Sequence, residues 1–118
     1  MDRVTQLAEE LDALHRGRGF NADDVTEQLG PVLAGIVFAD SEGDAAYGRD
    51  LLRRWLLAAA SDLPEDLRTI FLGASRLRDV HPLLTERIAT LADATGLSAR
   101  TVRRRLREAD RLAAAALV

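Results

Sequence analysis

The sequence predicts an all-α fold, a compact bundle of about six or seven short helices, and three observations carry that expectation. Aromatic residues are only 4% of a chain that is 47% hydrophobic, so the core must be built from Leu, Ala, Val and Ile, of which Ala and Leu are strong helix formers. Apolar residues recur at spacings of three and four along most of the chain. Glycines and prolines mark most of the breaks between these stripes, at Gly17, Gly19, Gly30-Pro31, Pro64, Pro82 and Gly96.

The first helix is expected over residues 3–15, capped by Asp2, with Val4, Leu7, Ala8, Leu11 and Leu14 on one face. Arg16-Gly17-Arg18-Gly19 ends it, because two glycines within three residues are costly to hold in a helix. The same four residues lack a preceding strand and the Gly-Lys-Ser/Thr ending of a phosphate-binding loop, so they read as a turn. Asn21 caps a short helix over 22–29, opened by Asp23 and Asp24. Residues 31–39 are nearly all apolar and compete between buried strand and buried helix. Pro31, Gly35 and the lack of a strand partner favour the helix. After the polar loop 40–44, a helix over 45–60 places Leu51, Leu52, Trp55, Leu56 and Ala59 on one face, which assigns Trp55 to the core. Pro64-Glu65-Asp66 forms the first turn of the next helix, which runs to about residue 75 with Leu67, Ile70, Phe71 and Ala74 inward. Residues 76–82 are a connection ending in His81-Pro82.

The last third carries the most specific pattern. A helix over 85–95 turns Ile88, Leu91 and Ala92 inward, and Gly96 stands where a sharp left-handed turn is needed. Leu97 plugs the corner, Ser98 caps a second helix beginning at Ala99, and Val102, Leu106, Ala109 and Ala113 line its inner face. On the opposite face Arg100, Arg103, Arg104, Arg107 and Arg111 fall within an arc of roughly 100°. Arg105 lies at the edge of the apolar face, where it packs its stem or pairs with an acid.

This C-terminal helix-turn-helix resembles those of sigma-factor region 4 and LuxR-type regulators. The resemblance rests on Ile88-Ala89, Leu91-Ala92, Gly96-Leu97-Ser98, Thr101-Val102 and Leu106 with Ala109. Leu63-Pro64-Glu65-Asp66-Leu67-Arg68 is also similar to the start of sigma region 4, although the spacing from there to Leu97 is longer and residues 76–82 do not match. Thr95 departs from the pattern, standing where these families place an aliphatic residue. The resemblance implies that the second helix enters the major groove of double-stranded DNA. The implied contact set is Ser98, Arg100, Thr101, Arg103, Arg104, Arg107 and Arg111. Arg100, Thr101 and Arg104 would approach bases, and Arg107 and Arg111 would meet phosphates.

Charge is distributed to match. Residues 1–75 hold 7 Arg against 14 acids, a net −7, whereas residues 76–118 hold 9 Arg against 5 acids, a net +4. All 16 basic residues are arginine. Codon usage in a GC-rich genome accounts for this, as would selection for bidentate donors or avoidance of lysine modification.

The remaining features narrow the classes of function. With no cysteine there are no disulfides or thiolate sites. His15 and His81, the only histidines, are far apart in sequence and no cluster of ligand-type residues surrounds either, so neither metal nor cofactor is expected. No nucleophile stands beside a base, so no enzymatic activity is expected either. The N-terminus lacks a signal-peptide layout and no apolar run approaches the roughly 20 residues of a membrane span, which together imply a cytoplasmic protein. The chain reads as one helical domain over 1–118. Residues 1–60 would be an N-terminal part offering a dimerisation or interaction surface, and 63–118 the helix-turn-helix part. The function expected is that of a DNA-binding transcriptional regulator, a homodimer reading two half-sites. The competing expectation is a helical interaction or adaptor module without DNA binding. It would recognise an acidic protein partner, or form the N-terminal part of a larger protein.

Overall fold

A computed structural model describes residues 2–16, 29–38, 45–75 and 83–118. Within them the chain is all-α, with six helices in the order α1 (Arg3–Arg16), α2 (Pro31–Val37), α3 (Ala45–Ser61), α4 (Glu65–Ala74), α5 (Leu84–Thr95) and α6 (Ala99–Leu117). The helix expected over 22–29 (all but Leu29, which is not helical), the glycine turn, the loop 40–44 and the connection 76–82 with His81 lie outside the described residues. No helix among the described residues is long and apolar enough to cross a membrane.

Several helix ends have an identifiable cause. Asp2 caps α1: the Thr5 amide donates to its Oδ1 at 2.7 Å and the Thr5 hydroxyl to its Oδ2 at 3.0 Å. Residues 31–37 are helix, not strand, and Pro31 occupies the first helical position. The amides of Val32 and Leu33 then lack intrahelical partners, and Glu10 of α1 accepts from both, at 3.2 and 2.8 Å. Gly30 leaves room for that carboxylate, since a Cβ there would stand 2.3 Å from the Glu10 side chain. The far end of α3 is closed by Arg68 of α4, whose guanidinium donates to the carbonyls of Ala60, Ser61 and Leu63 at 3.0–3.3 Å. Pro64 caps α4 from outside its first turn, one residue earlier than the sequence places it, with Glu65 and Asp66 at the positive helix end.

Trp55 corrects the expected core: it is 38% exposed. The buried arc of α3 is centred on Leu52 and Leu56 and includes Ala59 and Ala60, which leaves Trp55 on the flank of the stripe.

Two apolar clusters result. One joins α1, α2, α3, the middle of α4 and the C-terminal half of α6, through residues such as Leu7, Leu11, Leu52, Leu56, Phe71 and Ala113. The other joins the end of α4, α5 and the first turns of α6, through Ile70, Ala74, Ile88, Leu91, Val102 and Leu106. The Ala-rich chain end packs back on the N-terminal helices, burying Ala113, Ala114 and Leu117 while leaving Leu112 and Val118 exposed. Helix α6 is thus shared by both clusters, and α1 is its most extensive neighbour.

Candidate nucleic-acid interface

The turn between α5 and α6 is built by four consecutive residues. Gly96 has φ of 72° and donates its amide to Ala92 O at 2.9 Å, the left-handed closure that a Cβ would strain. Thr95, the residue that departs from the family pattern, donates its hydroxyl to Leu91 O at 2.6 Å, and the Leu97 amide reaches back to it at 3.4 Å. Its hydroxyl therefore ties the turn where an aliphatic side chain would have packed. Leu97 packs against the second apolar cluster, as expected of a corner plug. Ser98 caps α6, accepting from the Thr101 amide at 3.2 Å and donating its own hydroxyl proton to Thr101 Oγ1 at 3.0 Å. The Thr101 hydroxyl proton remains available to an outside acceptor.

Behind the turn, Val102, Leu106, Ala109 and Ala113 are buried, as their spacing predicts. Arg105 Nη1 meets Asp66 at 2.6 Å, which pins the side of α6 to the N-terminus of α4. In front, Arg100, Arg103, Arg104, Arg107 and Arg111 are all exposed, and none makes a salt bridge or hydrogen bond with a described residue. The five do not share one environment. Arg107 and Arg111 border a groove whose other wall is α1, where Glu9 and Asp12 stand. Arg100, Arg103 and Arg104 occupy the first two turns of α6, away from that groove, and form the unobstructed part of the stripe.

Beneath the groove lies a buried polar cluster that the sequence reading missed. His15 Nε2 and Asp110 Oδ1 are 2.6 Å apart, and Ser75 Oγ stands 3.4 Å from His15 Nδ1. Arg87 is fully buried; its Nε donates to Ala74 O at 3.1 Å and its Nη2 donates to His15 O. Four helices thereby meet at the junction of the two apolar clusters, where His15 follows Leu14 of the first and Arg87 precedes Ile88 of the second. Burial pushes the Asp110 carboxyl above its ordinary value and Asp12 adds to this, while His15 pulls it down. The order serine, histidine, aspartate has the look of a hydrolytic triad. However, Ser75 and His15 have no exposed surface and Asp110 only 2%, so no substrate reaches the hydroxyl in this arrangement. Residue spacing could not have found the cluster, because His15 and Asp110 are 95 positions apart.

No protein-family model, curated protein or solved structure matches the chain.

Proposed function

We propose that α5, the turn at Gly96 and α6 form a DNA-binding helix-turn-helix, and that the protein is a transcriptional regulator. One observation carries this reading: Arg100, Arg103 and Arg104 project unpaired from the first two turns of a helix whose other face is fixed by the turn, the second apolar cluster and the Arg105–Asp66 pair. An α-helix about 10–12 Å across fits the roughly 12 Å major groove, and guanidiniums at its leading end suit guanine edges and phosphate oxygens. Arg107 and Arg111, further along the same face, would extend the phosphate contacts.

The test is a titration of mixed-sequence duplex DNA at several salt concentrations, with wild type and Arg100→Glu/Arg104→Glu. Binding should weaken steeply with salt in the wild type, and reversing the charge of the two arginines that would approach bases should weaken it at least about tenfold at every salt concentration. Absence of binding at about 50 mM salt would overturn the reading. A second reading, a protein-interaction module or homodimer, is favoured by the exposure of Trp55, Leu112 and Val118, which offer apolar surface on α3 and at the end of α6. It becomes the better account if DNA binding fails.

A further inference from the structure

We infer that the groove between α1 and α6 is a binding site for a small zwitterion with an apolar body, of the size and kind of a free amino acid. The cavity is about 240 Å³, just below the roughly 300–1,000 Å³ of sites that take drug-sized ligands. Its two walls carry opposite charge. On α6 stand the guanidiniums of Arg107 and Arg111, one helical turn apart and well placed to hold a carboxylate by paired N–H donors. On α1 stand the carboxylates of Glu9 and Asp12, and Ala8 with the aliphatic arginine stems supplies an apolar lining.

Opposed charges that merely stabilised the helix pair would be expected to close on each other, and here they do not. Among the described residues Glu9, Arg107 and Arg111 form no salt bridge, and Asp12 pairs with Arg16 of its own helix instead. A further feature points to a ligand. Asp110 is the one buried residue that lines the groove, so it forms the floor. One of its carboxylate oxygens is held by His15, while the other, Oδ2, is buried with no hydrogen-bond partner. An unmet buried acceptor is costly, and a neighbouring carboxylate, Asp12, makes the spot more electronegative still. An ammonium group seated on the acidic side would offset both. Its carboxylate would then lie toward Arg107 and Arg111, and its side chain over Ala8.

Leucine is the probe of choice, because its side chain matches the lining. Isotope-labelled protein is titrated with leucine, and separately with isoamylamine and 4-methylpentanoate, which lack the carboxylate and the amine respectively. Saturable amide shifts confined to residues 5–12 and 107–111 are expected with leucine, and each half-ligand should bind at least about tenfold more weakly, the loss of one charge-assisted contact. Arg107→Ala/Arg111→Ala should weaken leucine by a similar factor while the remaining spectrum stays dispersed, since both side chains are exposed. The inference is overturned if leucine gives no saturable shift up to about 10 mM, if the half-ligands bind as well as leucine, or if the double variant binds it unchanged. A corollary rests on the DNA reading: occupancy would draw Arg107 and Arg111 away from phosphates and lower DNA affinity. Leucine binding by the free protein does not depend on that reading. If DNA binds but leucine does not, the site alone is wrong; if leucine binds but DNA does not, the site stands.

Discussion

Two arginines on neighbouring helices show how little a residue's type says about its energetic weight. Arg105 makes a short ion pair with Asp66, but the pair is exposed, and the screening of exposed pairs limits it to about 1 kcal/mol or less. Arg87 is wholly buried and bonds the terminal carbonyls of two helices, Ala74 O and His15 O. Substituting Arg87→Met keeps the apolar stem but orphans two buried acceptors, each worth about 1–3 kcal/mol. Urea denaturation should therefore find Arg87→Met destabilised by about 2 kcal/mol or more, and Arg105→Met by less than about 1 kcal/mol. Equal losses would show that the buried guanidinium does not hold the helix ends. Arg105 was partly legible in the sequence, because its place at the edge of the apolar stripe left it either to pack its stem or to pair with an acid. Arg87 was not: arginine is rarely buried unless paired, and among its partners are backbone atoms 13 and 72 positions away.

At the level of elements, two glycines that look alike from a packing standpoint should respond in opposite ways to alanine. A Cβ at Gly35 or at Gly96 would meet nothing within 4 Å, so neither substitution creates a clash. Gly35 lies on the exposed side of α2, where alanine lowers the entropy of the unfolded chain and should stabilise by about 0.4–1 kcal/mol. Gly96 holds φ at 72°, a left-handed conformation that costs an ordinary residue about 1–2 kcal/mol, so Gly96→Ala should destabilise by that amount. Thermal or urea melts of the two variants check the sign directly. The position of Gly96 was evident from the sequence, as were the bounds of α1 and α5 to within a residue and the start of α6, since caps and turns are written within a few residues. What closes other helix ends was hidden. Glu10 serves α2, Arg68 serves α3 and Arg87 serves α1 and α4, each acting from a different helix and leaving no local pattern. Trp55 misled for a related reason: spacing gives an apolar stripe, but the neighbours decide which edge of it is covered.

For the whole molecule, the junction of the two apolar clusters makes stability depend on pH in a particular direction. Burial holds Asp110 above the usual 3.8, so the folded state keeps a proton that the unfolded chain would release. Its contribution is full below 3.8 and is lost as pH rises through the raised folded value. Asp2 behaves oppositely, because the Thr5 amide and hydroxyl hold it below 3.8; its contribution is present above that value and fades as pH falls. Stability measured by urea from about pH 4 to pH 7 should therefore show Asp110→Asn gaining on the wild type as pH rises. A difference that stays flat across that range would remove Asp110 from the account. The sequence did reveal the charge contrast between the chain's two parts and the arginine face of α6. It could not reveal that α1 lies along α6 and faces Arg107 and Arg111 with acids, because that contact is purely tertiary.

The pairing of α1 with α6 also has a consequence for synthesis. Leu7, Leu11 and Leu14 leave the ribosome about a hundred residues ahead of the end of α6, yet part of the surface that covers them lies on that helix, which ends at Leu117. Contacts of such long sequence separation form late, and folding cannot finish until α6 has emerged. Until then the leucine stripe of α1 is incompletely shielded, so the nascent chain is open to chaperones and to aggregation along α1.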